Sequence, residues 1–457
     1  MPVFLGLTVA QGAPLVNGDN FPLPESYFPA LKSMIDSAAK QAPRILVRNS
    51  ENALAEANRI TARAGQLPSA GGYASYYPWV TETRAVAGST PAGATNPDQI
   101  LHPKKLAYSF NVIQPVYHWG ALRDNTRIGE LQQKLALGVS ADSYRILVEE
   151  IRAQYMQVVV NKAALARSRF NTRLADEQLA LARSKFEKNV IAEADLFGPT
   201  ISAEQARLAT DRMSEDYENS RIYLSKLSGT PVLSDEQVPT EIPPVTPATS
   251  ALQSVAAEFS GHTDLNTYSL QNSRDQIEVE RLNYKIASTR LRPNVNLQLG
   301  TTQDEFSYSV NIADKYKVRS YYAGFSVNWN VFDGFATRSA KRSSLIRRRQ
   351  LEQTYKEQTA DAIAAVEAQM RQLEFSARNL SIVERTLGSA VSILNQRKEE
   401  MARGVVSDAD VNAAQLNFYD WQLTAFGARN EYMLRTSKLL STTLADPALV
   451  NIPAAQQ

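Results

Sequence analysis

The chain has 457 residues, 44% hydrophobic and 21% charged, and its 49 basic and 47 acidic side chains leave a net charge of only +2. No global field therefore draws it onto nucleic acid or an anionic surface. The absence of cysteine excludes disulfides, thiolate metal sites and a cysteine nucleophile, and the scattered His102, His118 and His262 form no metal or acid–base pattern.

No run of about 18 apolar residues exists, so no transmembrane helix is expected. Transmembrane β-strands leave a weaker trace and stay open as a possibility. Residues 1–27 form an N-terminal segment. Its apolar stretch 2–10, ending in a small residue, has two readings, the tail of a signal peptide or a disordered end.

A short helix opens the next segment, and β-like alternation follows. In 72–87, Tyr73, Tyr77, Trp79 and Thr81 alternate with Ala74, Tyr76, Glu82 and Arg84. In 105–117, Leu106, Tyr108, Phe110 and Val112 alternate with Ala107, Ser109 and Asn111. Between them, 88–104 reads as a polar loop. No proline falls between Pro115 and Pro199, a gap that permits a helix over 119–187 with apolar stripes such as Leu147, Ile151, Tyr155 and Val158. Such a helix would be about 100 Å long at about 1.5 Å per residue, the scale of a coiled coil or helical barrel.

The tip Asn189-Val190-Ile191 then precedes a return helix over 193–227, with Gly198-Pro199 predicting a kink or a delayed start. A proline-rich linker, 229–248, reads as extended. The same order recurs in 249–446: strands 294–303 and 320–332 around a polar loop 303–320, a long helix 335–402, a tip and a return helix 407–444. A tail, 447–457, closes the chain.

Two marks share one offset. Asn189 and Gly404 lie 215 positions apart, and so do Tyr117 and Phe332. The chain therefore reads as two repeats, 28–228 and 249–446. Gly404 and Asn189 suit the left-handed position that ends a helix. Ser407 and Asp410 have the spacing of a capping box. Four strands cannot close a barrel, which starts at about eight, and open edges are not tolerated in lipid. Membrane-spanning strands would thus require several chains to share one barrel; a soluble half-buried sheet has the same alternation.

In these features the sequence resembles the TolC-like outer-membrane efflux protein family, from about Pro24 to Pro447. The carriers are Leu67-Pro68 and Arg292-Pro293 before the strand pairs, and Gln114-Pro-Val-Tyr117 and Trp329-Asn-Val-Phe-Asp-Gly334 after them. The tip Gly404-Val-Val-Ser-Asp-Ala-Asp-Val-Asn-Ala-Ala-Gln415 is the most specific. The resemblance implies a mainly α fold with transmembrane β. In it, tandem repeats of a strand pair plus a long helical hairpin build a homotrimeric barrel of about 12 strands, continued by a periplasmic α-helical barrel. It implies an outer-membrane exit duct of a tripartite efflux or type I secretion system, extending into the periplasm. Its partners would be outer-membrane lipid, an inner-membrane transporter and a periplasmic adaptor (a membrane fusion protein), with no nucleic acid, cofactor or metal and no enzymatic activity. The alternative is a soluble trimeric coiled-coil scaffold or fibre protein.

The same resemblance assigns the periplasmic tip and adaptor contact to Asn189, Val190, Ile191, Gly404, Val405, Val406 and Ser407. Asp195 and Asp410 become candidate gate residues, though each also fits a plain first-turn carboxylate. A second acidic position is Ala413 in one repeat and falls at Gly198-Pro199 in the other, so a double ring is not expected. Trp119, Tyr321 and Trp329 are assigned to an aromatic girdle, with packing as the other reading. Lys341, Arg342, Arg347, Arg348 and Arg349 form a basic cluster read as a solvated helix face rather than a nucleic-acid patch.

Overall fold

A computed structural model describes residues 21–84, 99–101, 103–261, 265–308 and 315–450. The stretch 2–10, His102, His262 and much of the 88–104 loop lie outside them. In chain order the elements are α1 (Pro24–Tyr27), α2 (Pro29–Gln41), α3 (Pro43–Ala64), β1 (Ser69–Tyr77), β2 (Glu82–Arg84), β3 (Gln99–Leu101) and β4 (Pro103–Tyr117). Then come α4 (Ala121–Glu187), α5 (Glu193–Ser228), α6 (Thr249–Gly261), α7 (Tyr268–Thr289), β5 (Asn294–Tyr308), β6 (Lys315–Asn328), α8 (Ala336–Ala402) and α9 (Asp408–Thr442). The fold is mostly helical with a small antiparallel sheet of four strands.

The two long helices, α4 and α8, each have 67 residues. Each starts where paired left-handed residues end the extended chain: Trp119 (φ 55°) with Gly120 (φ 81°), and Gly334 (φ 61°) with Phe335 (φ 70°). Among the described residues no helix is long and apolar enough to cross a membrane.

The chain divides into two compact units, and these cut across the sequence repeats. One unit comprises the described residues up to Asn52, Ala136–Ser273 and the chain from Thr354. Its core gathers Leu147, Ile151 and Tyr155 of α4 with Leu224 of α5, Leu252 of α6, Leu373 of α8 and Tyr432 of α9. Helices this long cannot bury their apolar stripe alone, so each repeat supplies the packing surface for the other. The 229–248 linker belongs to this unit. It is extended apart from a short 3-10 turn at Asp235–Gln237, and it packs: Val238, Ile242 and Val245 are buried. Lys162 donates to the Asp235 and Val238 carbonyls, and Arg429 to that of Ile242.

The other unit comprises Ala53–Leu135 and Arg274–Gln353. Its sheet runs β1-β4-β5-β6, every pair antiparallel, with a bulge in β4 between Pro115 and Tyr117. The β4–β5 pair joins the two repeats, with Val112 opposite Leu299. Several expected strand ends are corrected. The first strand does not reach 87. It stops at Tyr77, before Pro78, which has no N–H to donate. Glu82–Arg84 pairs instead with Gln99–Leu101 in a separate two-stranded sheet.

Both polar loops are shorter than expected. β4 begins at Pro103, β5 extends to Tyr308 and β6 starts at Lys315. Polar side chains fit those strands because they satisfy one another. The Tyr108 hydroxyl and Arg319 Nε both donate to Gln303 Oε1, at 2.7 and 2.9 Å, and Lys317 lies 3.3 Å from Glu305. At its far end β6 stops at Asn328 rather than 332.

The register also separates the sheet's faces. Val112, Leu299 and Ala323 share one face with Phe110, Leu297 and Phe325. On the opposite face lie Ser109, Thr302 and Ser320, and Tyr73 joins them because it pairs with Ser109. The alternation read in the first strand is therefore inverted. Ala70, Gly72 and Ala74, not Tyr73, lie on the apolar side, and small residues hid that side from a hydropathy reading.

Candidate functional site

The two tips end α4 and α8 in the same way. Asn189 (φ 57°) donates to the Phe186 carbonyl at 2.8 Å, and Val190 to that of Lys185 at 2.9 Å. Gly404 (φ 75°) donates to Met401 at 2.8 Å, and Val405 to Glu400 at 2.9 Å. These are the paired bonds of a Schellman stop, which needs one left-handed residue. Asparagine adopts that conformation at low cost, so the Asn-for-Gly difference leaves the turn intact.

Both tips lie at one end of the helical unit. The Ser168 and Thr210 hydroxyls are 2.8 Å apart, so α5 runs back along α4. Arg167 meets Asp420 at 2.8 Å and Phe170 packs on Tyr419, so α9 does the same. Asn189, Val190, Gly404, Val405 and Ser407 are exposed, while Ile191 and Val406 are half-buried.

Asp195 and Asp410 occupy equivalent places in the first turns of α5 and α9. The Ala192 N–H donates to the Asp195 carboxylate at 3.0 Å. The Ser407 N–H and hydroxyl donate to that of Asp410 at 3.0 and 2.6 Å. These bonds, the hydroxyl's above all, hold the Asp410 carboxyl below its ordinary value, and Arg397 adds attraction. Both carboxylates are exposed. They bring negative charge to two repeat-related positions at one end of the unit while each tethers its own helix start.

The expected delay at Gly198-Pro199 does not occur. α5 begins at Glu193 and passes through Pro199. The proline removes one N–H near an exposed helix end, and the Thr200 hydroxyl donates to the Leu196 carbonyl at 2.8 Å. Loss of a single bond there does not break the helix.

The three girdle residues do not share one level. The Trp119 indole N–H donates to the Pro293 carbonyl at 2.8 Å and that of Trp329 to the Leu291 carbonyl at 3.0 Å. Both tryptophans therefore gather where the chain enters β5. Arg292 lies over the Trp119 ring at 4.8 Å, and the Tyr117 ring meets that ring edge-on at 4.9 Å. Tyr321 sits in mid-strand, opposite Thr301. It is eight positions before Trp329, about 26 Å along a strand at about 3.3 Å per residue. Phe332 and Phe335, edge-on at 5.5 Å, stand in its place near the strand-to-helix junction. Phe335 lies beyond the expected strand and Phe332 at its expected end, and the left-handed residues of the turn that brings their rings together are revealed only by the backbone.

Sequence reasoning also missed Arg152. It is fully buried, and its five N–H donors are all used, on Glu25, Asp446 and Ser437. Burial disfavours the charge, but Asp446 and Glu25 hold the guanidinium protonated above its ordinary value. A signal existed. α4 carries buried doublets at 147/148, 151/152, 155/156 and 158/159, and Arg152 alone among them is charged. His118 bonds Asn296 at 2.8 Å, and among the described residues no group of acidic or histidine side chains is arranged to hold a metal ion.

Residues 263–442 match the family described as outer membrane efflux protein. Among solved structures the chain is similar to the outer membrane channel CmeC of Campylobacter jejuni, with 14% identity and a TM-score of 0.67 over 91% of this chain and 86% of that one. It is similar to the outer membrane protein VceC of Vibrio cholerae, with 14% identity and a TM-score of 0.61 over 93% and 99%. The open state of the outer membrane channel MtrE of Neisseria gonorrhoeae gives 12% identity and a TM-score of 0.63 over 91% and 89%. No curated protein sequence matches the chain.

Proposed function

We propose, from the match of residues 263–442 to the family described as outer membrane efflux protein, that this chain is a member of that family and an outer-membrane exit duct. The duct conducts passively what an inner-membrane transporter and a periplasmic adaptor deliver, in a tripartite efflux or type I secretion system. It is a channel rather than an enzyme.

The observation that carries this reading is the sheet. Its described strands leave β1 and β6 unpaired on their outer sides, and its apolar face exposes Phe110 (51%), Tyr321 (75%), Phe325 (71%) and Val327 (61%). In lipid such edges must close, and three copies of four strands make a barrel of about 12. Two equal helical hairpins per chain then supply six tips around one axis, where Asp195 and Asp410 form carboxylate rings and Asn189–Ile191 and Gly404–Ser407 meet the adaptor. A ring of carboxylates at a narrow pore attracts cations and repels anions.

The test is membrane fractionation of the expressed chain, followed by light scattering of the detergent extract. The duct reading expects recovery with the outer membrane, a need for detergent and a trimer. Recovery of a stable trimer from the soluble fraction would favour the coiled-coil scaffold and overturn the duct.

A further inference from the structure

The first five turns of α8 carry a charge pattern that the duct reading does not use. Residues 334–351 hold six cations and no acid, bounded by Asp333 and Glu352. The repeat-related stretch 119–136 holds three cations and two acids. There Arg127 pairs with Glu130 at 2.7 Å and Lys134 with Asp275 at 2.9 Å. Within 334–351, among the described residues, only Arg348 is matched, by Glu352 at 2.8 Å. Among the described residues Arg338, Lys341, Arg342, Arg347 and Arg349 have no ion-pair partner.

At about 100° per residue, Arg338, Lys341, Arg342 and Arg349 fall within about 100° of arc on one side of the helix. Arg338, Arg342 and Arg349 are exposed, and Lys341 is half-buried. Arg338 stands in the first turn, where the helix dipole disfavours a cation. Like charges at this spacing repel one another. The stripe is therefore an arrangement whose own helix supplies no compensation, and an external anion would provide it.

The chain just before the stripe says which anion. Trp329 (62% exposed), Val331 (68%), Phe332 (67%) and Phe335 (64%) form an apolar and aromatic shelf between β6 and α8. Tryptophan at the polar boundary of a bilayer, followed by basic residues, is the order in which a chain leaves hydrocarbon and enters the headgroup layer. A free solute would need no apolar shelf beside its charge.

We propose that this face of α8 binds the headgroups of anionic phospholipids in the leaflet that the helix leaves, with Arg338, Lys341, Arg342 and Arg349 as the contacts. The inference rests on the membrane-spanning reading of the sheet. It adds an asymmetry between the repeats: α8 carries the lipid contact and α4, whose Arg127 and Lys134 are already paired, does not. It also replaces the plain solvated face expected from composition.

The test uses the full chain, reconstituted into vesicles of phosphatidylethanolamine with either phosphatidylglycerol or phosphatidylcholine. Phosphatidylglycerol retained by the detergent-purified protein is measured by native mass spectrometry. One basic residue near an anionic surface strengthens association about fivefold. The variant Arg338→Gln/Lys341→Gln/Arg342→Gln/Arg349→Gln should therefore retain phosphatidylglycerol at least tenfold less well. The matching variant with lysine at the three arginine positions should keep it, and Arg123→Gln/Arg127→Gln in α4 should change nothing. If the neutralised variant fails to fold, rising salt applied to the unaltered protein should abolish its preference for phosphatidylglycerol over phosphatidylcholine. A preference that salt leaves intact, or unchanged lipid retention in a folded neutral variant, would overturn the proposal. So would a change confined to ion selectivity in planar bilayers, which would place the stripe in the aqueous lumen. Failure to enter vesicles of either composition would instead overturn the membrane reading beneath it.

Discussion

Replacing Arg152 by methionine probes the buried charge that joins the chain's beginning to its end. In the folded chain the guanidinium donates to Glu25 Oε2 at 2.9 Å, Asp446 Oδ1 at 2.9 Å and Ser437 Oγ at 2.6 Å, with further bonds to both carboxylates. The side chains of Arg152 and Asp446 are 0% exposed and that of Glu25 is 13% exposed. The arginine thus holds α1, the end of α9 and the segment after it. Methionine would leave two carboxylates facing each other with no cation, and breaking a buried pair this way costs about 3–5 kcal/mol. At about 1.4 kcal/mol per tenfold, opening of these segments should become at least about 100-fold more frequent. Hydrogen exchange of the detergent-solubilised chain reads this directly. Amides in Pro24–Phe28, the last turns of α9 and residues 443–450 should lose protection, while the tip turns at 189–191 and 404–407 should not change.

One comparison separates charge from packing. The triple variant Arg152→Met/Glu25→Gln/Asp446→Asn removes the uncompensated carboxylates and should recover most of the protection. A triple variant as labile as the single one would refute the electrostatic account and leave Arg152 as a space-filling residue. Unchanged exchange in Arg152→Met would refute the latch itself.

Asp410→Ala should lower cation selectivity in planar bilayers and weaken block by multivalent cations; unchanged selectivity in a correctly assembled variant would leave Asp410 as a cap alone. The Ser407 bonds lower the Asp410 carboxyl, so its capping contribution is complete above the unfolded carboxylate value. It is lost only as pH falls through the lower folded one, and selectivity should persist through the ordinary carboxylate range and fade below it. Gly300→Ala should destabilise the sheet by about 1–3 kcal/mol, because its Cβ would meet the Phe110 carbonyl at 2.6 Å and the Tyr322 hydroxyl at 2.5 Å. Gly324→Ala, whose Cβ would have nothing within 4 Å, is the control, and heat resistance of the detergent-solubilised protein is the measurement. An insertion between Asp304 and Glu305 should abolish assembly, since both pair across β4 and β6; trimer recovery by light scattering would contradict this register.

Much of the design is written locally, and there the sequence by itself was sufficient. The absence of proline from 116–198 and 294–446 and the apolar stripes along those stretches determined two long helices. Gly404, Asn189 and the Ser407/Asp410 pair determined where those helices stop and the chain re-enters a helix, because Schellman stops and capping boxes involve only neighbouring residues. The shared 215-residue offset revealed the repeat.

The tertiary structure decided what depends on partners distant in the chain. Strand register put Tyr73 opposite Ser109 and set Gln303 beneath Tyr108, so a face that read as polar loop became paired strand. Trp119 and Trp329 came together because carbonyls at 293 and 291 took their indole N–H groups, leaving Tyr321 about 26 Å away along β6 at about 3.3 Å per residue. Arg152 became a buried latch only because Glu25 and Asp446, 127 and 294 positions away, converge on it. A local pattern shows that a residue is charged. Only the fold shows which opposite charge reaches it, and burial then determines whether that charge is solvated or held.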